Sequence, residues 1–185
     1  MIRAIILIGG LFLFFNPLYS KGALDFGAGV CIYGDAMGFT VRAAYQESLN
    51  GWMSLFGSPS SGGFGDDFLL AAGLNTDIVP VEFGITSIEP EITALYRLGI
   101  IRNGAAEAPG NISIYPYLGI GVPINIFTLQ GSSSSGAGFM LRAGAKAGYR
   151  IMESFEAGFG AEYRMNFAGI YIGSVGVYAF ASLTL

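Results

Sequence analysis

The residues from Ile112 to Ile126 alternate without a break. Ile112, Ile114, Pro116, Leu118, Ile120, Val122, Ile124 and Ile126 share one face; Ser113, Tyr115, Tyr117, Gly119, Gly121, Pro123 and Asn125 share the other. Successive side chains of a strand point to opposite sides, so a period of two over this length specifies a strand and excludes a helix. Pro116 and Pro123 cannot donate to a ladder, so they are expected at strand ends or bulges. Phe139 to Arg150, Phe155 to Met165 and Val175 to Leu185 repeat the pattern, and Met152-Glu153-Ser154 makes a tight turn between two of them.

The charges obey the same period. Arg142, Lys146, Arg150, Glu156, Glu162 and Arg164 all fall on the face opposite the apolar one. In earlier stretches Asp25, Arg42, Glu82 and Arg97 do likewise. Six basic and four acidic groups thus share faces rich in glycine, while the opposing faces carry none. A soluble sandwich also alternates, but its polar face meets water and has no need to interleave glycine with charge. Glycine beside charge fits a narrow interior that large side chains must share. Charged residues are 12% of the chain and apolar ones 52%, and beyond residue 19 no apolar run approaches the ~20 residues of a helical span. A closed barrel is the other structure that satisfies its backbone in lipid. The expected fold is therefore all-β: an antiparallel, up-and-down transmembrane barrel. Phe139 and Tyr149 lie ten residues apart on the apolar face, which at ~3.3 Å per residue and a tilt near 40° spans about 25 Å, the height of a lipid-facing band. They and their neighbours Phe127 and Phe155 read as aromatic girdles at two interfaces.

The N-terminus has a different character. Arg3 precedes an apolar segment, Ala4 to Phe15, and Asn16-Pro-Leu-Tyr-Ser20 ends it on a small residue. That is the layout of a secretory signal, so residues 1–20 are assigned to export and 21–185 to the barrel. Strands are expected at 22–33, 38–46, 68–87 (bent near Pro80), 91–101, 112–126, 138–150, 155–165 and 173–185. This makes eight; a missed strand would make ten, because such barrels need an even number.

Tyr115-Pro-Tyr-Leu-Gly-Ile-Gly121, the Gly/Ser loop after it, Arg142-Ala-Gly-Ala-Lys-Ala-Gly-Tyr-Arg150 and Ala157-Gly-Phe-Gly-Ala-Glu-Tyr-Arg164 together resemble the C-terminal half of the small outer-membrane barrels of the OmpX, OmpA-barrel and OmpW type. The resemblance implies a bacterial outer-membrane location, lipid as the partner of the exterior, and a last strand read by the barrel-assembly machinery. Family members usually end on an aromatic residue; this chain ends on Leu185 with the apolar spacing kept.

Chemistry is largely excluded. With no histidine, Ser–His, Cys–His and His–metal constellations cannot form, and a lone cysteine, Cys31, rules out Cys₄ zinc. Cys31 reads as a small buried side chain. Gly119-Ile-Gly121 lacks a third glycine, and Gly131 to Gly138 lacks a lysine, so neither is a phosphate loop. Thirteen carboxylates against nine basic residues give no footprint for nucleic acid. The chain is expected to be non-enzymatic and without a cofactor. Its ten interior charges are expected to pair across the lumen, as buried charges must. An eight-stranded interior is filled by side chains, so the leading expectation is a plugged scaffold whose loops make a surface interaction. A narrow, porin-like conduit for small hydrophobic or ionic solutes and a soluble secreted ligand-binding barrel are the alternatives. The segment 47–66, rich in Gly, Ser and Pro but carrying Trp52, Met53, Leu55 and Phe56, is expected to be the interaction loop, or else to fold onto the barrel rim or into the membrane interface.

Overall fold

The computed structural model describes residues 22–54, 64–80, 83–101, 108–129, 132–169 and 171–185. The signal segment, Leu55, Phe56 and Glu82 lie outside the described residues. Eleven strands form one antiparallel sheet that closes on itself: β1 (Ala23–Tyr33), β2 (Ala36–Ser48), β3 (Phe68–Val79), β4 (Phe83–Tyr96), β5 (Leu98–Ile101), β6 (Ile112–Gly121), β7 (Ile124–Leu129), β8 (Ser132–Ala137), β9 (Phe139–Met152), β10 (Phe155–Phe167) and β11 (Tyr171–Thr184). Three pairs are segments of single long strands. β4 runs into β5 past Arg97, β6 into β7 past Val122-Pro123, and β8 into β9 past Gly138. The barrel therefore has eight strands. Each pairs with the next in sequence, and β1 closes the ring on β11 over ten registered pairs, from Ala23↔Thr184 to Ile32↔Val175.

The count of eight matches the expectation, but its composition does not. The expected strand 68–87 is two strands: the chain reverses after Val79, and Val79 pairs with Ile85 across the turn. Pro80, with no N–H to give a ladder, sits where the strand ends rather than at a bend within it. Conversely, the second half of that expected strand and the first half of the expected 91–101 merge through Pro90 into β4. Proline is tolerated there because β4 changes partner at that point, pairing with β7 through Ile88 and with β6 from Glu91. Beside it the Val122 N–H donates to the Pro90 carbonyl, and one strand further the Gly138 N–H donates to the Pro123 carbonyl, each at 3.0 Å. The breaks thus align across three neighbouring strands. Pro123 marks one of them, whereas Pro116 sits inside β6, opposite Ala145 on β9.

Alternation is obeyed as the sequence demands. In β6 the even-numbered residues face out and the odd ones are buried. Phe159, Leu118 and Phe39 on the exterior are 72%, 69% and 63% exposed. The buried set is instead dominated by polar and charged side chains. Cys31 is buried, and its thiol points at the Phe39 carbonyl at 3.5 Å. Among the described residues no helix is long and apolar enough to cross a membrane; the wall itself is the apolar element.

The two ends of the barrel differ. At one end the chain passes from β1 to β2, from β3 to β4, from β7 to β8 and from β10 to β11. Gly34 and Gly169 take φ of 58° and 81° there, a region open to glycine at no steric cost. At the other end lie the first and last described residues, joined by a bond from the Leu185 N–H to the Gly22 carbonyl (2.8 Å), with the turn 153–154 and the two longer connections, 49–67 and 102–111. The first of these carries helices α1 (Leu49–Ser54) and α2 (Phe64–Asp67).

Candidate functional site

The lumen is where the sequence concentrates its chemistry, and its side chains stack in tiers. In the middle tier Arg142 bridges Glu91 and Glu162, and Arg42 reaches the same carboxylates at 3.7 and 3.8 Å. Tyr117 donates to Glu162 (2.6 Å), and Arg42 donates to the Tyr178 hydroxyl (2.8 Å). The two guanidiniums lie over aromatic rings, Arg42 at 5.0 Å from the Tyr178 centroid and Arg142 at 5.2 Å from that of Tyr117. Each cation therefore meets both opposite charge and a π face.

Toward the end away from the termini, Arg164 holds Asp77 (2.6 Å) and Glu89 (2.9 Å), and its Nε reaches back to Glu162 (3.2 Å). Tyr33, Asn75 and Ser87 donate to the same two carboxylates. Asn125 and Asn166 pair with each other beyond them. Toward the terminus end, Lys146 pairs with Asp25 (2.6 Å) and donates to Gln46 (3.1 Å), with its ammonium over the Phe180 and Tyr115 rings. Below it, Arg150 pairs with Glu156 (2.8 Å), which also accepts from Tyr115 (2.9 Å).

Glycines make this density fit. A Cβ on Gly119 would stand 2.8 Å from both the Arg142 Cγ and the Thr93 hydroxyl, and one on Gly27 would stand 2.8 Å from the Arg42 Cγ. The stems of the two central arginines occupy the space that those side chains would have taken.

The structure brings eight of the ten expected lumen residues into this lattice: Asp25, Arg42, Arg142, Lys146, Arg150, Glu156, Glu162 and Arg164. Arg97 is a correction. It lies at the terminus-end rim, where its Nε pairs with Asp67 at 3.0 Å and its NH2 donates to the Asp66 carbonyl at 3.1 Å. It follows the last full pair of β4 and lines the mouth of the lumen, outside the lattice of ion pairs. Three members were missed: Asp77, Glu89 and Glu91. The misplaced strand boundaries around Pro80 and Pro90 hid them. The excess of basic over acidic groups on the expected interior faces was the signal that further carboxylates had to be there.

Trp52 is held at the rim. Its ring meets Tyr45 edge-on at 6.2 Å, and its indole N–H donates to the Leu70 carbonyl at 3.4 Å. The 47–66 segment leaves the barrel at the end that holds both termini. A cavity of about 350 Å³ opens at that end, lined in part by Gln46, Glu47, Arg97, Tyr115, Arg150 and Thr184; inward of it lies the Lys146–Asp25 pair. Among the described residues no cluster of side chains suits a metal ion.

No family model and no curated protein matches the chain. Solved structures do. Neisserial surface protein A aligns with a TM-score of 0.64 at 13% identity, covering 89% of this chain and 96% of that one. Ail, the attachment invasion locus protein of Yersinia pestis, aligns at 0.53 and 15% identity, covering 90% and 99%. The N-terminal β-barrel domain of Pseudomonas aeruginosa OprF aligns at 0.52 and 12% identity, covering 89% and 100%. The chain has the fold of the small eight-stranded outer-membrane barrels. At these identities the likeness is one of architecture.

Proposed function

We propose that this is a non-enzymatic protein of the bacterial outer membrane, exported with loss of residues 1–20, whose plugged barrel is a scaffold for contacts made at the cell surface. The observation that carries the reading is the inversion of the molecule: an apolar exterior around an interior of ion pairs. A soluble barrel that binds an apolar ligand needs the opposite, a polar outside and an apolar pocket. Lipid is the solvent such an exterior requires, and β11, which closes the ring on β1, is the strand offered to the assembly machinery.

With the termini on the periplasmic side, the cell exterior meets the end that carries the β7–β8 hairpin. Its Ser132 to Ser135 are exposed, and among the described residues β8 is paired only with β7. The surface contact is assigned to this end and not to residues 47–66. Adhesion of cells displaying the wild-type protein is compared with that of a variant whose hairpin is cut back to a short turn. Folded variant protein with lost adhesion supports the assignment; undiminished adhesion refutes it.

A narrow conduit is the second reading, favoured by the cavity at the terminus end. In planar bilayers the scaffold reading expects no sustained conductance, because the Arg142 tier closes the lumen. Steady wild-type conductance would transfer the function to the conduit.

A further inference from the structure

Among the described residues every buried charged side chain but one stands in an ion pair. The exception is Glu47, which is 3% exposed. It accepts a hydrogen bond from the Tyr45 hydroxyl at 2.7 Å, whereas a carboxylate has room for about four. A carboxylate hidden from water ordinarily has a cation beside it. Its burial comes from the way β2 ends. Inside–outside alternation holds through Gln46 and then fails, because Glu47 is buried as well. Both residues line the cavity of about 350 Å³ at the terminus-end mouth.

The cations of that cavity are already engaged. Arg97 pairs with Asp67 at 3.0 Å and donates to the Asp66 carbonyl at 3.1 Å. Arg150 pairs with Glu156 at 2.8 Å and donates to the Thr184 hydroxyl at 3.1 Å. Asp66, also in the lining, accepts from Asn50 at 2.8 Å and is in no ion pair among the described residues. Four carboxylates, Glu47, Asp66, Asp67 and Glu156, thus face two guanidiniums, which leaves two negative charges in excess. An anion entering here has to displace a carboxylate from an arginine. A cation meets carboxylates that no arginine holds.

The volume says which kind of cation. A bare metal ion does not fill 350 Å³, a size within the range of small-molecule sites. Leu69 and Tyr115, members of one apolar cluster, also line the cavity and give methylene groups a surface. We propose that the terminus-end mouth binds a small aliphatic diamine, with one ammonium on Glu47, the other on Asp66, and the methylene chain against Leu69 and Tyr115. Each ammonium brings the positive charge and the N–H donors that these carboxylates lack. The site lies outside the Arg142 tier, so it does not depend on whether the barrel conducts.

Isothermal titration calorimetry of the protein refolded in detergent tests the site with putrescine, beside butylamine, succinate and Mg²⁺. A heat-dependent shift on a gel establishes folding in every sample. The proposal expects saturable binding of putrescine, weaker binding of butylamine and none of succinate. Glu47→Gln is expected to weaken putrescine at least about tenfold, the worth of one charge-assisted contact. Asp66→Asn, at the exposed rim, is expected to weaken putrescine and to leave butylamine unchanged. Folded wild-type protein that takes up no putrescine overturns the proposal, and so does folded Glu47→Gln that binds it like wild type. If Glu47→Gln does not fold, Asp66→Asn decides, and undiminished putrescine binding overturns the diamine. Displacement of putrescine by an equal concentration of Mg²⁺ reassigns the site to an inorganic cation, and tighter binding of succinate reverses its sign; either result overturns the proposal.

Discussion

Arg142→Ala tests the lattice at its centre. The Arg142 side chain has no exposure to solvent and bridges Glu91 and Glu162 from β9 to β4 and β10. Removing one partner of a buried pair costs ~3–5 kcal/mol, because the charge left behind has lost its compensation. Here both carboxylates keep other contacts: Arg42 at 3.7 and 3.8 Å, with Arg164 and the Tyr117 hydroxyl also on Glu162. That places the cost near the lower end, ~3 kcal/mol, about a hundredfold in the folding equilibrium. Arg97→Ala is the matched control. Its pair with Asp67 is partly solvated, with side chains 14% and 24% exposed, so it is expected to cost under ~1 kcal/mol. Urea titrations of vesicle-inserted protein, followed by gel migration of the folded form, give both midpoints. Equal midpoints, or a lower one for the Arg97 variant, would refute the claim that the interior is a load of paired charge whose centre is Arg142.

Three further outcomes are expected. Leu118→Arg, on the lipid face midway along its long strand, should cost ~2–4 kcal/mol and lower the yield of folded protein in vesicles, while Asp35→Lys in a turn leaves it unchanged; equal yields would contradict the lipid-facing wall. Gly119→Ala forces a methyl group against the Arg142 stem and Thr93 and should lower the unfolding midpoint, whereas Gly136→Ala, with open space around it, should not; the two midpoints decide it. Cys31 should resist a maleimide in the folded barrel and react fully in urea, and rapid labelling of folded protein would show that the lumen near it is open.

The sequence was most readable where one face is purely apolar and the other carries charge. In β6, β9, β10 and β11 each residue's side of the wall follows from its parity, and six of the eight expected residues that lie in the lattice come from β9 and β10. It was least readable in β3 and β4. There Leu69, Ala71 and Val79 point inward, so the two faces differ little in polarity and the phase of the alternation is lost. Pro80 and Pro90 then look alike on paper. Only the pairing partners distinguish a proline that ends a strand from one seated where the ladder changes hands. Arg97 shows the complementary limit: its parity is that of the interior, but parity does not say where along the axis the interior stops. The orientation of the 47–66 segment depended on the strand partition and could not be read before it.

Three of the ion pairs join residues far apart in the chain, Lys146 with Asp25, Arg142 with Glu91 and Arg164 with Asp77, whereas Arg150–Glu156 and Arg142–Glu162 close across the β9–β10 hairpin. None of the first three can form within a hairpin. An open sheet part-way through assembly would therefore hold Asp25, Asp77 and Glu91 apart from these partners, and pushing that sheet into a bilayer would expose them to hydrocarbon. Lipid thus rejects every intermediate except one already rolled nearly shut, so that entry into the membrane and the meeting of the first strand with the last become a single event. A cell making this protein must accordingly keep the chain sheltered until its final residues arrive, since Asp25 emerges first and waits 121 positions for the lysine that neutralises it.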